Sequence, residues 1–212
     1  MNPVLDPEPS SWSALLRDDF PFFWPRPRPR PGGISRAALN LSNQMRELWE
    51  QHGAWTRMAI MSIVFELRDE QATLRRLLQN PVDFADALLP FYGKRNAREF
   101  DRLLTDHLVI AADLVRAAKA GNIRRVEQLD RLWHQNAREI AAFLARINPF
   151  WSERRWREML FEHLRQVTQE AITMLQGQYE RSVRTYDAIE TQSLGMADEM
   201  WRGIVRQFPR RF

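Results

Sequence analysis

From residue 34 onward apolar side chains recur every three or four positions and almost never every second one, the spacing of a buried helical face. A first long helix is predicted from about Asn40 to Arg68, with apolar or small residues at 41, 45, 48, 55, 59, 63 and 67. A short helix from Asp69 stops at Asn80-Pro81, and a second, VDFADALLPFY, closes at Gly93. A long helix from Asn96 to Ala120 carries Phe100, Leu104, Ala111, Leu114 and Ala118 on one face, and Gly121-Asn122 then turns the chain. The next repeats Val126, Leu129, Trp133, Ala137, Ile140, Leu144 and Ile147 until Asn148-Pro149. Ser152 caps a helix with Trp156, Leu160, Val167, Ala171 and Met174 inside, and Gly177 breaks it from a last one bearing Val183, Tyr186, Ser193, Ala197, Met200 and Ile204.

Long helices joined by short connections lie antiparallel. The predicted fold is all-α: an antiparallel bundle of four to five long helices plus two short ones over residues 34–212. No internal repeat stands out. Residues 1–33 hold eight of the twelve prolines and the run RPRPRP, which favours extended polyproline II, so this segment is expected to be an extended arm. Its apolar stretch WSALLRDDFPFFW needs a surface to cover it, which predicts docking or self-association through the arm.

Composition narrows the partners. Of 31 basic residues only 94 and 119 are lysine, so 29 are arginine, which explains a pI near 10.1 at a net charge of only +4. Arginine alternates with acids along most helices, as on solvated faces, and this argues against nucleic acid as the main partner. No apolar run reaches the roughly 18 residues of a membrane span, and the proline- and acid-rich start does not read as a secretory signal. Absence of cysteine excludes disulfides, thiolate ligands and a cysteine nucleophile, and the chain is expected to be cytoplasmic. There is no GxGxxG, phosphate loop, HExxH or Gly-x-Ser-x-Gly elbow, so no enzyme class is assigned.

The candidate chemistry lies in four histidines, each on a different long helix. Counted from the turns, His107, His134 and His163 fall at one level, with Glu190 opposite His163 across Gly177. His52, His107, His163 and Glu190 continue apolar stripes and are expected to point inward, whereas His134 sits beside its stripe and Asn136 nearer the core. Three imidazoles and a carboxylate in an apolar bundle suit a transition metal ion such as zinc, iron, copper or nickel, and a pair of inward histidines would also suit haem. A redox role or binding of a small molecule would follow. Tyr186, Thr56, Arg57, Asp106, Glu162, His134 and Asn136 are the candidate supporting residues. Gly53, beside His52 in mid-helix, would leave room for a ligand or a close helix. The alternative is a metal-free bundle whose histidines form a buried hydrogen-bond network and whose arm mediates assembly.

Trp49, His52, Trp55, Thr56 and Arg57 (W-x2-H-x2-W-T-R), NPVDF at 80–84, HLVIAADLV at 107–115, LFEHL at 160–164 and the ending RQFPRRF resemble an uncharacterised family of bacterial helical proteins over residues 40–212. Some members carry an acetylglutamate kinase label. That label implies a glycine-rich α/β nucleotide-binding fold, and this chain has neither the strands nor the phosphate loop for it.

Overall fold

The computed structural model describes residues 33–212, so the arm expected at the N-terminus lies, but for Gly33, outside the described residues. Residues 34–212 form one compact unit built of helices, with no strand among the described residues. The helices are α1 Arg36–Val64, α2 Glu70–Leu77, α3 Gln79–Lys119, α4 Ile123–Ile147, α5 Glu153–Leu175 and α6 Tyr179–Gln207, followed by a 3-10 turn, Pro209–Arg211. The all-α bundle is as predicted. The helix stops were legible at Gly93, Gly121 and Gly177, which all take a positive φ. At Gly93 the backbone leaves helical geometry and bends α3 into two limbs.

Other boundaries moved for local reasons. α1 begins at Arg36 because Ser35 Oγ accepts from the Ala38 amide, and it ends at Val64 rather than Arg68. Asn80-Pro81 does not stop a helix. It lies in the first turn of α3, where proline has no hydrogen bond to break. Trp55 is half-buried, and Leu67 and Val183, expected in the core, are exposed.

An internal repeat emerges from the structure that the sequence reading missed. His52, His107 and His163 stand 55 and 56 residues apart, and 14 residues after each comes a residue with positive φ: Glu66, Gly121 and Gly177. All three close the same Schellman turn. The Leu67, Asn122 and Gln178 amides donate to the Ser62, Ala117 and Thr173 carbonyls, and the Glu66, Gly121 and Gly177 amides to Ile63, Ala118 and Met174. The described residues therefore form three helical hairpins: α1 with α2 and residues 79–92, then residues 94–119 with α4, then α5 with α6.

Core positions correspond across the three. Met45, Phe100 and Trp156 are buried two turns before the histidines; Leu48, Leu103 and Met159 are buried one turn before. On the returning limbs Phe84, Ile140 and Met196, and again Leu88, Leu144 and Met200, are buried at 56-residue spacing. Each hairpin alone has one apolar stripe with nothing to cover it, and stacking three closes a common core.

Candidate functional site

The repeat brings a polar device into that core three times. His52 Nδ1 meets Asn80 Oδ1 at 3.1 Å, His107 Nδ1 meets Asn136 Oδ1 at 2.8 Å, and His163 Nδ1 meets Gln192 Oε1 at 3.1 Å. Each amide NH2 then donates at 2.9 Å to the carbonyl four residues before its histidine: Leu48, Leu103 and Met159. Donation to a carbonyl turns the amide oxygen toward the ring, and an oxygen acceptor requires the hydrogen to sit on Nδ1. All three imidazoles are thereby held as one tautomer, with the lone pair on Nε2.

The rings are close and dry. His52, His107 and His163 are each 2% exposed, and the ring of His52 lies 6.5 Å from that of His107 and 5.6 Å from that of His163. Burial disfavours the imidazolium, so His52 is pushed down to about 4 and His107 to about 3, while His163 falls well below its ordinary value. The amide contacts pull weakly the other way. At neutral pH the three rings are uncharged.

Not every expected residue joins them. Glu190 is half-buried, and its carboxyl meets Glu50 on α1, which burial and that neighbouring carboxyl push up from its usual value. Ile189, fully buried, takes the inward position on that turn of α6, as the apolar neighbour wins the core. His134 is half-buried, with Nδ1 2.9 Å from the Asp130 carbonyl and its ring against Phe161. Asp106 pairs with Arg102, and Glu162 with Arg165, on the surface. Among the described residues no group of three or more His, Asp or Glu side chains stands ready to hold a metal ion.

Arg57 and Tyr186 belong to a second polar locus. Arg57 forms an ion pair with Glu170, which is 1% exposed; it also donates to Ser182 Oγ and stacks over the Tyr186 ring. Burial pushes Glu170 up to about 7 against the lowering pull of the guanidinium. Thr56 and Ser193 are buried, and neither hydroxyl has a hydrogen-bond partner among the described residues. Asn136 was expected near the site. Asn80 and Gln192 were not, although the counting from the turns that levelled the histidines also levels these amides, 14 or 15 residues past each positive-φ position.

Comparison with known proteins adds no neighbour: no family model matches the chain, and no curated protein or solved structure matches it significantly.

Proposed function

We propose that the chain is a metal-binding helical bundle in which His52, His107 and His163 bind one transition metal ion through Nε2. The observation that supports this reading is the tautomer lock. Ligating histidines characteristically give their other ring N–H to an acceptor that fixes the ring, and here three buried rings do so in the same way. On a tetrahedral ion, imidazole centres stand roughly 5 Å apart, so His52 and His107 need to close by roughly 1.5 Å and His52 and His163 by roughly 0.5 Å. With three neutral nitrogens, the fourth position is left to water or an exogenous anion, as in open zinc-type sites. A bare ion is preferred here to haem because the cavity lined by Thr56, Ala111 and Val167, one turn past the histidines, measures about 20 Å³, far below the size of a porphyrin. Glu190 is left out of the ligand set because it pairs with Glu50.

Untagged protein purified without chelator or nickel resin, analysed for metals and titrated with cobalt(II), tests this. About one equivalent per chain, lost in His107→Ala with helicity kept, is the expected result. Protein that stays metal-free and refuses cobalt, zinc and copper would instead favour the structural reading. That reading has its own support: the clasp recurs once per hairpin and in each case ties the outgoing helix to the returning limb of the same hairpin.

A further inference from the structure

Packing on the two sides of the histidines is unequal. One and two turns before them the core is filled by Met45, Phe100, Trp156 and the Leu48 level, all buried. One turn after them come Thr56, Ala111 and Val167, and helical side chains lean toward the N-terminus, so these three sit directly beneath the rings. Their small size leaves a cavity of about 20 Å³. Trp133 also lines it, with its indole 5.3 Å from the His107 ring.

Two wall residues carry polar atoms that are buried and unpaired among the described residues: Thr56 Oγ1 and Trp133 Nε1. Apart from these and Thr168 the lining is apolar. A water would fit, since about 10–15 Å³ suffices for one, and would find the two partners that are its minimum, but its remaining sides would face apolar wall. A molecule with one hydroxyl and one methyl end matches the wall better. We infer that this cavity binds a neutral molecule of about two heavy atoms that carries a hydrogen-bonding oxygen, the class of methanol. Its oxygen accepts from Trp133 Nε1–H, its hydroxyl hydrogen goes to Thr56 Oγ1, and its carbon rests on Ala59 and Ala111. The site is separate from the metal proposed above: none of the three histidines lines the cavity, whose wall follows α1 from Thr56 to Ile63 and α5 from Val167 to Ala171.

Titration of the full, metal-free chain with methanol, followed through the indole N–H signals of its eight tryptophans by NMR, tests the inference. One indole signal should shift saturably, and that signal should be the one missing in Trp133→Phe. Thr56→Val keeps the side-chain shape, removes the hydroxyl, and should weaken the binding about tenfold; it carries the test by itself if the tryptophan variant does not fold. Shifts that stay linear and spread over all the indoles would overturn the inference, as would a Trp133 signal that responds equally to xenon and ignores Thr56→Val. A long-lived water at Trp133 that methanol does not displace would do the same. Metal binding by Thr56→Val, measured in parallel, reports on the histidine reading independently.

Discussion

Asn136 and His107 fix each other across two helices: the amide oxygen accepts from the ring at 2.8 Å while the amide nitrogen donates to the Leu103 carbonyl, one turn before that same histidine. Both side chains are buried. Replacing Asn136 by leucine, similar in volume, leaves a buried ring N–H without its acceptor. The expected loss is about 1–3 kcal/mol of stability in urea unfolding, with an unchanged m value. A change below about 0.5 kcal/mol, the level of an ordinary surface substitution, would mean that the clasp is not a stabilising element.

Proton linkage of the three histidines predicts steep acid sensitivity. In the unfolded chain each titrates near 6.5; in the folded one His52 titrates at about 4, His107 at about 3 and His163 well below its usual value. Near pH 5 the unfolded state therefore holds up to three more protons, and stability should fall with acidification by about 4 kcal/mol per pH unit from these groups. Glu170 works in the opposite sense. Its folded value of about 7 lies above its unfolded value, so its contribution is present at low pH and lost as pH rises through 7, which cancels about one of the three protons. Chelator-treated protein should thus lose on the order of 2–3 kcal/mol per unit between pH 6 and 5 and change little above 7. A flat urea midpoint across pH 5–7 would contradict the buried, neutral assignment.

How much of this arrangement was legible is clearest at the amides. His52, His107 and His163 were readable because each continues an apolar stripe. Asn136 was noticed for the same reason. Asn80 was hidden because Asn-Pro reads as a helix stop, and Gln192 because a glutamine on a polar helix looks like any solvated residue. The repeat was obscured by chemistry that conserves burial but not identity, such as Met45, Phe100 and Trp156. The first hairpin also disguises itself, since its turn uses Glu66 where the other two use glycine, and α2 is inserted after it. Glu190 was misplaced by the ambiguity of a 3.6-residue period, which lets two adjacent residues compete for one inward position, here won by Ile189.

Glycines at two buried positions should behave oppositely. Gly53 was expected to make room beside His52, yet a Cβ there would find only Ser193 Oγ, at 4.0 Å, which is ordinary contact. Its counterparts in the other hairpins are Leu108 and Leu164, both buried. Gly53→Ala should therefore be neutral or stabilise by up to about 1 kcal/mol through helix propensity. At Gly203 a Cβ would overlap the Trp151 indole, whose Nε1 donates to the Glu199 carbonyl in the same helix. Gly203→Ala should destabilise by about 1–3 kcal/mol through overpacking. Thermal melts of the two variants side by side decide it, and a large loss at Gly53 would show that something else must occupy that space.

The Arg57–Glu170 pair breaks the repeat, and this gives it a distinctive signature. Glu170 stands where the other hairpins have Ala59 and Leu114, and Arg57 where they have Ala112 and Thr168, so the fold accommodates apolar or small residues at both positions. Removing the arginine alone strands a carboxyl that is 1% exposed, and such half-removals cost about 3–5 kcal/mol. Removing both charges restores the pattern of the other two hairpins. Arg57→Ala should then be the most destabilising variant at neutral pH, and the combined Arg57→Ala and Glu170→Leu variant should recover most of the loss, with a coupling of about 1–3 kcal/mol in the double-mutant cycle. Measured against the double variant at each pH, the single variant should close part of its deficit on acidification, because protonation neutralises the stranded carboxyl, and without the lowering pull of the guanidinium this should set in above the value of about 7 held in the intact pair. Additive losses with no pH dependence would mean that the two side chains are held by their separate surroundings and not by each other.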